Sequence, residues 1–398
     1  MADAQRIAPD SEFLHGVLAA GGEDLKKCFQ CATCSTVCEL SPAERPFPRK
    51  EMIWAQWGLK DRLVADPDIW LCHQCNDCST RCPRGARPGD VLAAVRRQAV
   101  AHYATPRALG RYAQEVKYLP VMFLVSAGLL LLALAVKQPL WQSGKGVLHY
   151  LDHPGFYAEL FPHWLLIGFF SFFWGLSMLG GLVGIVRFWQ AMQAADKAAG
   201  RYTPKTGIVA SLVAVLLALV RHDNFAKCKA GAPRRLAHLG AFYGFLTLFV
   251  VSVWAVIVLY MINPLAHHYF DYPFHLWNPW KLLANAGCVA LIGGCLLAIR
   301  ERMQDQAHAG ASTSFDWVLV WVLLSVGVTG LLTEVLRFAA EPAGLAVLKY
   351  TAYTVYFAHL VLVFQLLVYL PYSKFAHLLY RTTALVYAEH TGRNTNHT

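Results

Sequence analysis

From residue 119 onward the apolar positions fall into six blocks, near 119–136, 164–186, 239–262, 282–299, 315–336 and 351–370. Each is close to the about 20 residues that an α-helix needs to cross a hydrocarbon core of about 30 Å, so each predicts a membrane span. A seventh block, Gly207 to Val220, has only fourteen residues and basic neighbours on both sides, and predicts a helix lying in the membrane interface. Before residue 115 no block reaches span length. There Pro48 to Gly58 predicts a short amphipathic helix closed by its glycine, and Gly89 to Ala104 predicts another. Strand signals are nearly absent. The expected architecture is all-α: a small helical module over residues 1–115, a six-helix transmembrane bundle over 116–380, and a C-terminal tail over 381–398.

Composition agrees with a bilayer rather than with water as the surrounding solvent. Hydrophobic residues make up 56% of the 398 and charged residues 15%, where soluble domains carry about a quarter charged. The net charge of +10 does not point to nucleic acid, because the basic residues flank apolar spans. The segment Arg187 to Arg235 carries nine Lys and Arg residues, and Asn263 to Trp280 carries none. By the positive-inside rule, both termini are expected in the cytoplasm, with the bundle in a bacterial cytoplasmic membrane. Residues 1–20 hold no apolar core behind a basic start, so no signal peptide is expected there.

Cysteine spacing gives the first chemistry. Cys28, Cys31, Cys34 and Cys38 follow C-x2-C-x2-C-x3-C, and Cys72, Cys75, Cys78 and Cys82 repeat the pattern, the second run followed by Pro83 and the first by Glu39. Three closely spaced thiolates hold three corners of a [4Fe–4S] cluster, and the fourth cysteine of each run reaches the other cluster. Cys28, Cys31 and Cys34 are therefore expected to share a cluster with Cys82, and Cys72, Cys75 and Cys78 with Cys38. Zinc is the competing ligand, which would make the chain a six-span metal transporter with a zinc-binding head, but structural zinc sites pair two knuckles of two ligands each. Clusters and free thiols both suit a reducing compartment. Cys228, Cys288 and Cys295 stand outside the runs and are read as ordinary packing thiols.

Histidines near or within the spans are the second candidate chemistry, since an unpaired ionisable group in hydrocarbon is costly. His359 and His377 are 18 residues apart, five whole turns, so on one continuous helix they share a face and stand roughly 27 Å apart. Two axial positions so placed suit one haem b near each membrane face. His238, at the inner start of the third span, is level with His377 and completes the proximal pair. Leu248 stands where a second histidine of that helix would partner His359, leaving His163 as the best substitute, ahead of His267 and His268. One or two haems b are expected. No C-x-x-C-H occurs, which excludes covalent c-type haem. Glu334, three residues before Arg337, and His222 are candidates for a quinone site. No glycine-rich dinucleotide fingerprint follows a strand, so flavin or nucleotide chemistry belongs to other chains.

The stretch Pro48-Arg-Lys to Arg81-Cys-Pro-Arg-Gly85 resembles the small iron–sulfur subunit of heterodisulfide reductase. Beyond residue 164, Arg235-Leu-Ala-His238-Leu-Gly, Phe357-Ala-His359-Leu-Val-Leu and Pro371-Tyr-Ser-Lys-Phe-Ala-His377 resemble the haem-binding segments of nitrate reductase gamma-type cytochromes b. Their fusion is similar to the C subunits (QmoC) of quinone-interacting membrane-bound oxidoreductases. The resemblance implies a membrane subunit exchanging electrons between the quinone pool and soluble partners of dissimilatory sulfur metabolism. Those partners would be QmoA-like and QmoB-like flavin/Fe–S subunits, with adenylylsulfate (APS) reductase beyond them. The membrane arm of a heterodisulfide reductase complex is the alternative it leaves open. Leu248 departs from the two-histidine pattern of that cytochrome family.

Overall fold

The computed structural model describes residues 8–137, 157–222, 232–265, 274–305, 310, 313–343 and 345–393. They form helices and turns, and no strand occurs among the described residues. Eight short helices build the cysteine module: α1 Ser11–Val17, α2 Thr33–Thr36, α3 Arg49–Gln56, α4 Lys60–Val64, α5 Asp68–Leu71, α6 Asp77–Thr80, α7 Pro88–Tyr103 and α8 Arg107–Ala113. Their ends follow local chemistry. The Asp10 carboxylate accepts from the Phe13 amide at 2.8 Å to cap α1, and α7 opens on Pro88, which needs no amide partner there.

Six helices are long and apolar enough to cross a membrane: Val116–Ala135, His163–Ala198, Pro233–Leu265, Pro279–Gln304, Ser314–Ala340 and Ala346–Val368. They lie within α9 Leu119–Lys137 with the short turn before it, α10 His163–Ala198, α12 Ala232–Ile257 and its continuation, α13 Pro279–Gln304, α14 Ser314–Ala343 and α15 Ala346–Val368. The chain is a multi-pass membrane protein. Between α10 and α12 lies α11 Ile208–Arg221, too short to span. It tucks Ser211 and Val215 inward and leaves Val209, Val213 and Leu217 more than half exposed, as an interfacial helix with its apolar face to lipid would.

The spans pack α12 on α13, α13 on α14 and α14 on α15, while α15 also carries α9 and α10. The closest approach is at glycines. A Cβ on Gly244 of α12 would stand 2.5 Å from the Leu291 amide nitrogen and 2.6 Å from the Gly287 carbonyl oxygen of α13. Only a hydrogen fits there, and in a bilayer such close contact is what drives helices together.

α15 ends at Val368, and the chain turns through residues 369–375 before α16, Ala376–His390. His359 and His377 therefore do not share one continuous helix, which corrects the single helix from which their common face was expected. Pro371 supplies the reason: it lacks an amide hydrogen and its ring collides with the preceding turn. The turn is instead pinned by Tyr372, whose hydroxyl donates to the Thr105 carbonyl at 2.6 Å and whose carbonyl accepts from Gln114 at 2.6 Å.

Residues 381–390, read from sequence as the start of a tail, continue α16 and are largely buried. Tyr380, Ala384 and Tyr387 join Phe188 and Met192 of α10 in the same core as Val17, Leu63, Ile69, Trp70 and Val95 of the module. Trp70 stacks on Tyr380 with ring centroids 5.4 Å apart. α10, at 36 residues, is far longer than a bilayer requires, and its last turns serve this core.

Buried charge closes the same seam. Lys50 pairs with Glu51 at 3.2 Å, Asp66 at 2.8 Å and Asp68, and Arg393, just past α16, donates to Asp68 through Nε at 2.7 Å and through its terminal nitrogen. Burial pushes the Glu51 carboxyl well up. With Glu51 neutral, two cations face two carboxylates and the buried charge balances.

Candidate functional site

The two cysteine runs fold into the same local shape. In the first, Gln30 and Ala32 take positive φ (63° and 69°), and in the second Gln74 and Asn76 do the same (53° and 65°). Each run then enters one turn of helix, α2 or α6. Such left-handed positions curl the backbone so that amides and side-chain donors face sulfur: Gln74 N to Cys72 Sγ at 3.3 Å, Ala86 N to Cys82 Sγ at 3.4 Å, and Gln30 Nε2 to Cys28 Sγ at 3.3 Å.

The sulfurs form two sets, each drawn from both runs. Cys38, Cys72, Cys75 and Cys78 line a single cavity. The Cys38 thiol is pushed up to about 12, by burial first and then by Cys72 and Cys75. In the other set, burial raises Cys28, with Cys82 and Cys31 adding to it, and burial followed by Cys28 holds Cys34 up to about 11. Thiols so crowded ionise together only with strong positive charge among them. All eight are free thiols. Among the described residues the one group of three or more metal-ligand atoms within 4.8 Å of one another is Glu51, Asp66 and Asp68. Four thiols per set, drawn from both runs, are the donors a cuboidal cluster takes at its corners.

The two sets face different ways. Cys31 is exposed, Phe29 beside it is 69% exposed, and the Arg84 guanidinium sits 4.1 Å over the Phe29 ring. The second loop instead faces the bundle. Arg234 of α12 donates to the Gln74 carbonyl at 2.8 Å; Arg381 of α16 donates to the Cys72 carbonyl at 3.0 Å and to His73 Nε2 at 2.9 Å. Burial, then Arg381 and Arg96, hold His73 down to about 2, so it is neutral and its Nε2 accepts.

Each of these arginines lies one turn from a candidate histidine, Arg234 from His238 and Arg381 from His377. His377 donates Nδ1–H to the Lys374 carbonyl at 2.6 Å; a carbonyl only accepts, so the proton is on Nδ1 and the Nε2 lone pair is left for a metal. Burial is the main influence on His377, holding it down to about 4, with Lys374, Arg381 and His238 adding to it. As whole residues, His377 and His238 are nonetheless exposed. The His222 ring is 5.4 Å from His238, centroid to centroid.

His359 is placed differently. Its Nδ1 meets Thr329 Oγ1 at 3.0 Å, and that hydroxyl donates its own proton to the Ser325 carbonyl at 2.6 Å. Nδ1 therefore carries the hydrogen here too. Gly330 sits against the ring, where a Cβ would stand 3.1 Å from its Cε1. His163 starts α10. Phe161 meets Tyr356 at 6.4 Å and Phe169 meets Phe364 at 5.3 Å, contacts that bracket His163 and His359 at one height. Leu248 packs among Leu291 and Val320. His267, His268 and Cys228 lie outside the described residues.

Of the quinone candidates, Glu334 takes Lys281 at 2.8 Å and Asn285 at 3.2 Å, rather than the Arg337 that sequence proximity suggested. His222 is buried, with Nδ1 3.1 Å from the Val220 carbonyl and Phe242 against its ring. Cys288 donates to the Gly327 carbonyl at 3.2 Å, and Cys295 packs with Leu291. Sequence reading missed Arg234, Arg381 and His73. Their helical spacing from the histidines and Cys72 was the available signal.

Comparison with known proteins bears on the module most directly. Residues 24–86 match the 4Fe-4S dicluster domain. This segment is an iron–sulfur module. The chain is 41% identical over 91 residues to the C subunit of the H(2):CoB-CoM heterodisulfide,ferredoxin reductase of Methanothermobacter marburgensis, covering 23% of this chain and 49% of that protein. A protein of Archaeoglobus profundus, itself similar to the C subunit of heterodisulfide reductase, is 39% identical over 85 residues, 21% of this chain and 45% of its own length. The chain thus spans about half the length of these relatives, which it matches through its iron–sulfur module. Citrate utilization protein B of Escherichia coli is 26% identical over 382 residues, 91% of this chain and 89% of that protein. No solved structure matches. The chain thus joins a dicluster module, homologous to part of an oxidoreductase, to six apolar helices.

Proposed function

We propose that this chain relays electrons between the quinone pool and a soluble flavin/Fe–S partner. Its module and C-terminus would lie on the cytoplasmic face of a bacterial inner membrane. The observation that carries the reading is the double tether of Arg234 and Arg381 to the Cys72–Cys75 loop, which sets one cysteine site beside His238 and His377. Two [4Fe–4S] clusters and haem b supply one-electron redox chemistry when bound.

The chain's residues then divide the work. Cys72, Cys75, Cys78 and Cys38 hold the membrane-side cluster; Cys28, Cys31, Cys34 and Cys82 hold the outer one. His238 and His377 would hold a proximal haem, His377 through the Nε2 that its Nδ1–H bond to Lys374 leaves free. His359, oriented by Thr329, and His163 are the ligands of a distal haem. The exposed face around Cys31 and Phe29 is where the partner docks. Resemblance to the C subunits of quinone-interacting oxidoreductases makes that partner a QmoA-like and QmoB-like pair serving APS reductase. Similarity over 382 residues to citrate utilization protein B favours a second reading, in which the partner serves citrate utilization.

Affinity purification of the tagged chain from native membranes, with reduced-minus-oxidised spectra and iron, sulfide and haem quantification on the same sample, tests the proposal. Haem b and two cubane clusters, with flavin subunits and APS reductase co-eluting, are expected. A preparation holding zinc and no iron would sink it, and a co-eluting disulfide reductase or carboxylate-oxidising flavoprotein would reassign the partner.

A further inference from the structure

A cleft opens on the module side of the bundle, between the start of α9, the start of α14 and the turn after α15. Its walls divide by chemistry. Leu119, Met122, Val318, Leu319 and Val322 make an apolar channel along the spans, and two rings, Phe315 and Phe375, stand at its inner end. The polar groups gather at that same end: Glu115, Gln365, Tyr369, Ser373 and Lys374.

These groups are held in place by other contacts. Gln365 is 5% exposed and its Oε1 accepts from Ser126 Oγ at 2.9 Å. Lys374 pairs with Asp316, whose other oxygen accepts from Thr313 at 2.9 and 3.0 Å. An ammonium has three hydrogens, so this pair leaves donors to spare. Burial pushes the Tyr369 phenol up, which keeps it a donor at neutral pH. Phe375 meets Phe245 of α12 at 5.6 Å and thereby stands between the cleft and the helix of His238.

An apolar channel closed by two rings and several fixed donors matches a molecule with an isoprenoid tail and a flat head bearing carbonyl oxygens. We propose that this cleft binds a quinone headgroup, with Lys374 and Tyr369 as donors to its oxygens and the α9–α14 channel taking the tail. The site rests on the electron-relay reading above and refines it. It lies on the module side of the membrane, not near Glu334 at the opposite face. Lys374, which lines the cleft, accepts His377 Nδ1–H at its carbonyl, so the bound head would stand three residues in sequence from a candidate ligand of the proximal haem.

The test titrates the purified full chain in detergent with 2-heptyl-4-hydroxyquinoline N-oxide, a fluorescent quinone analogue, reading fluorescence quenching. Cluster and haem absorbance are recorded on each sample. Leu319→Trp, which fills the channel, should weaken binding at least tenfold. Tyr369→Phe, which removes one oxygen, should weaken it several-fold and serves if the tryptophan variant does not fold. Glu334→Gln should bind as wild type. If wild-type protein with intact cluster and haem signals binds no probe, or both cleft variants bind it normally, the cleft holds at most a lipid chain and the proposal fails. Absence of clusters or haem in wild type would instead overturn the relay reading.

Discussion

Arg393→Met should loosen the C-terminal helix from the iron–sulfur module while leaving the spans intact. The arginine side chain is 5% exposed and its partner Asp68 is fully buried. At the 2.7 Å Nε to Oδ1 distance, and with an effective dielectric constant of about 20, the charges attract by about 6 kcal/mol. Desolvation offsets part of this, and breaking such a buried pair by removing one partner costs about 3–5 kcal/mol. Methionine keeps an unbranched apolar stem, so the loss is chiefly one of charge. If amide exchange in residues 384–393 proceeds by local opening, protection should fall by roughly two to three and a half decades. The loss should also depend on pH. Burial and Asp66 already hold Asp68 above the ordinary carboxylate value. Its neutral form is therefore the one that folding favours: that stability is present below the unfolded carboxylate value and declines as pH rises to the folded one. Without Arg393 this window widens, so the deficit should be larger at pH of about 8 than at about 5. Hydrogen exchange by mass spectrometry on the full chain in detergent measures both, with Arg393→Lys as the charge-preserving control and Asp68→Asn/Arg393→Met closing a double-mutant cycle. Wild-type protection in Arg393→Met at both pH values would refute the reasoning.

Cys38→Ser should remove the membrane-side cluster and Cys82→Ser the outer one, each with about half the iron and sulfide; EPR of the two variants checks the exchange, and loss of the same signal in both would overturn the crossed ligand sets. His377→Ala should abolish the proximal haem b signal and leave the cubane EPR signals largely intact, whereas His359→Ala should spare that haem; optical spectra at low temperature separate the outcomes. Gly244→Leu should prevent α12 and α13 from docking, because its added Cβ meets backbone atoms at 2.5 and 2.6 Å that have nowhere to move; full-chain yield in membranes against Gly128→Leu, where nothing lies within 4 Å of an added Cβ, is the comparison.

Hydropathy made the six spans and the short interfacial helix legible because each follows from one local average along the chain. The end of α10 was not legible in that way. Arg187 closes the apolar block, yet the helix continues to Ala198, since Phe188 and Met192 find partners in the module. α16 was hidden for the same reason. Its Ala384 and Tyr387 look like a mixed, polar tail until the module core of Trp70 and Leu63 is set against them, and contacts across more than 300 residues leave no local periodicity. The common face of His359 and His377 assumed an unbroken helix across Pro371, a breaker visible in the sequence whose effect depended on Tyr372 finding Thr105 and Gln114. Glu334 stood out in the sequence as a quinone candidate, while the bundle brings Lys281 to it from the neighbouring span. Residues that act through helical pitch or cysteine spacing were readable; residues that act through tertiary approach were not.

The fold gives a physical reason why the two halves of this chain are fused. A module docked only by its surface would vary in distance from the bundle with every fluctuation of the contact, and electron transfer is sensitive to such distances. Here α10 and α16 leave the bundle and become part of the module's own core, while Arg234 and Arg381 hold the Cys72–Cys75 loop at the Gln74 and Cys72 carbonyls from helices that also carry His238 and His377. One turn of helix separates each grip from its histidine, a rise of about 6 Å that packing cannot easily stretch. The Cys72–Cys75 loop and the histidines His238 and His377 are thus held close to each other by helix geometry, while the Cys31 loop stays exposed on the module surface.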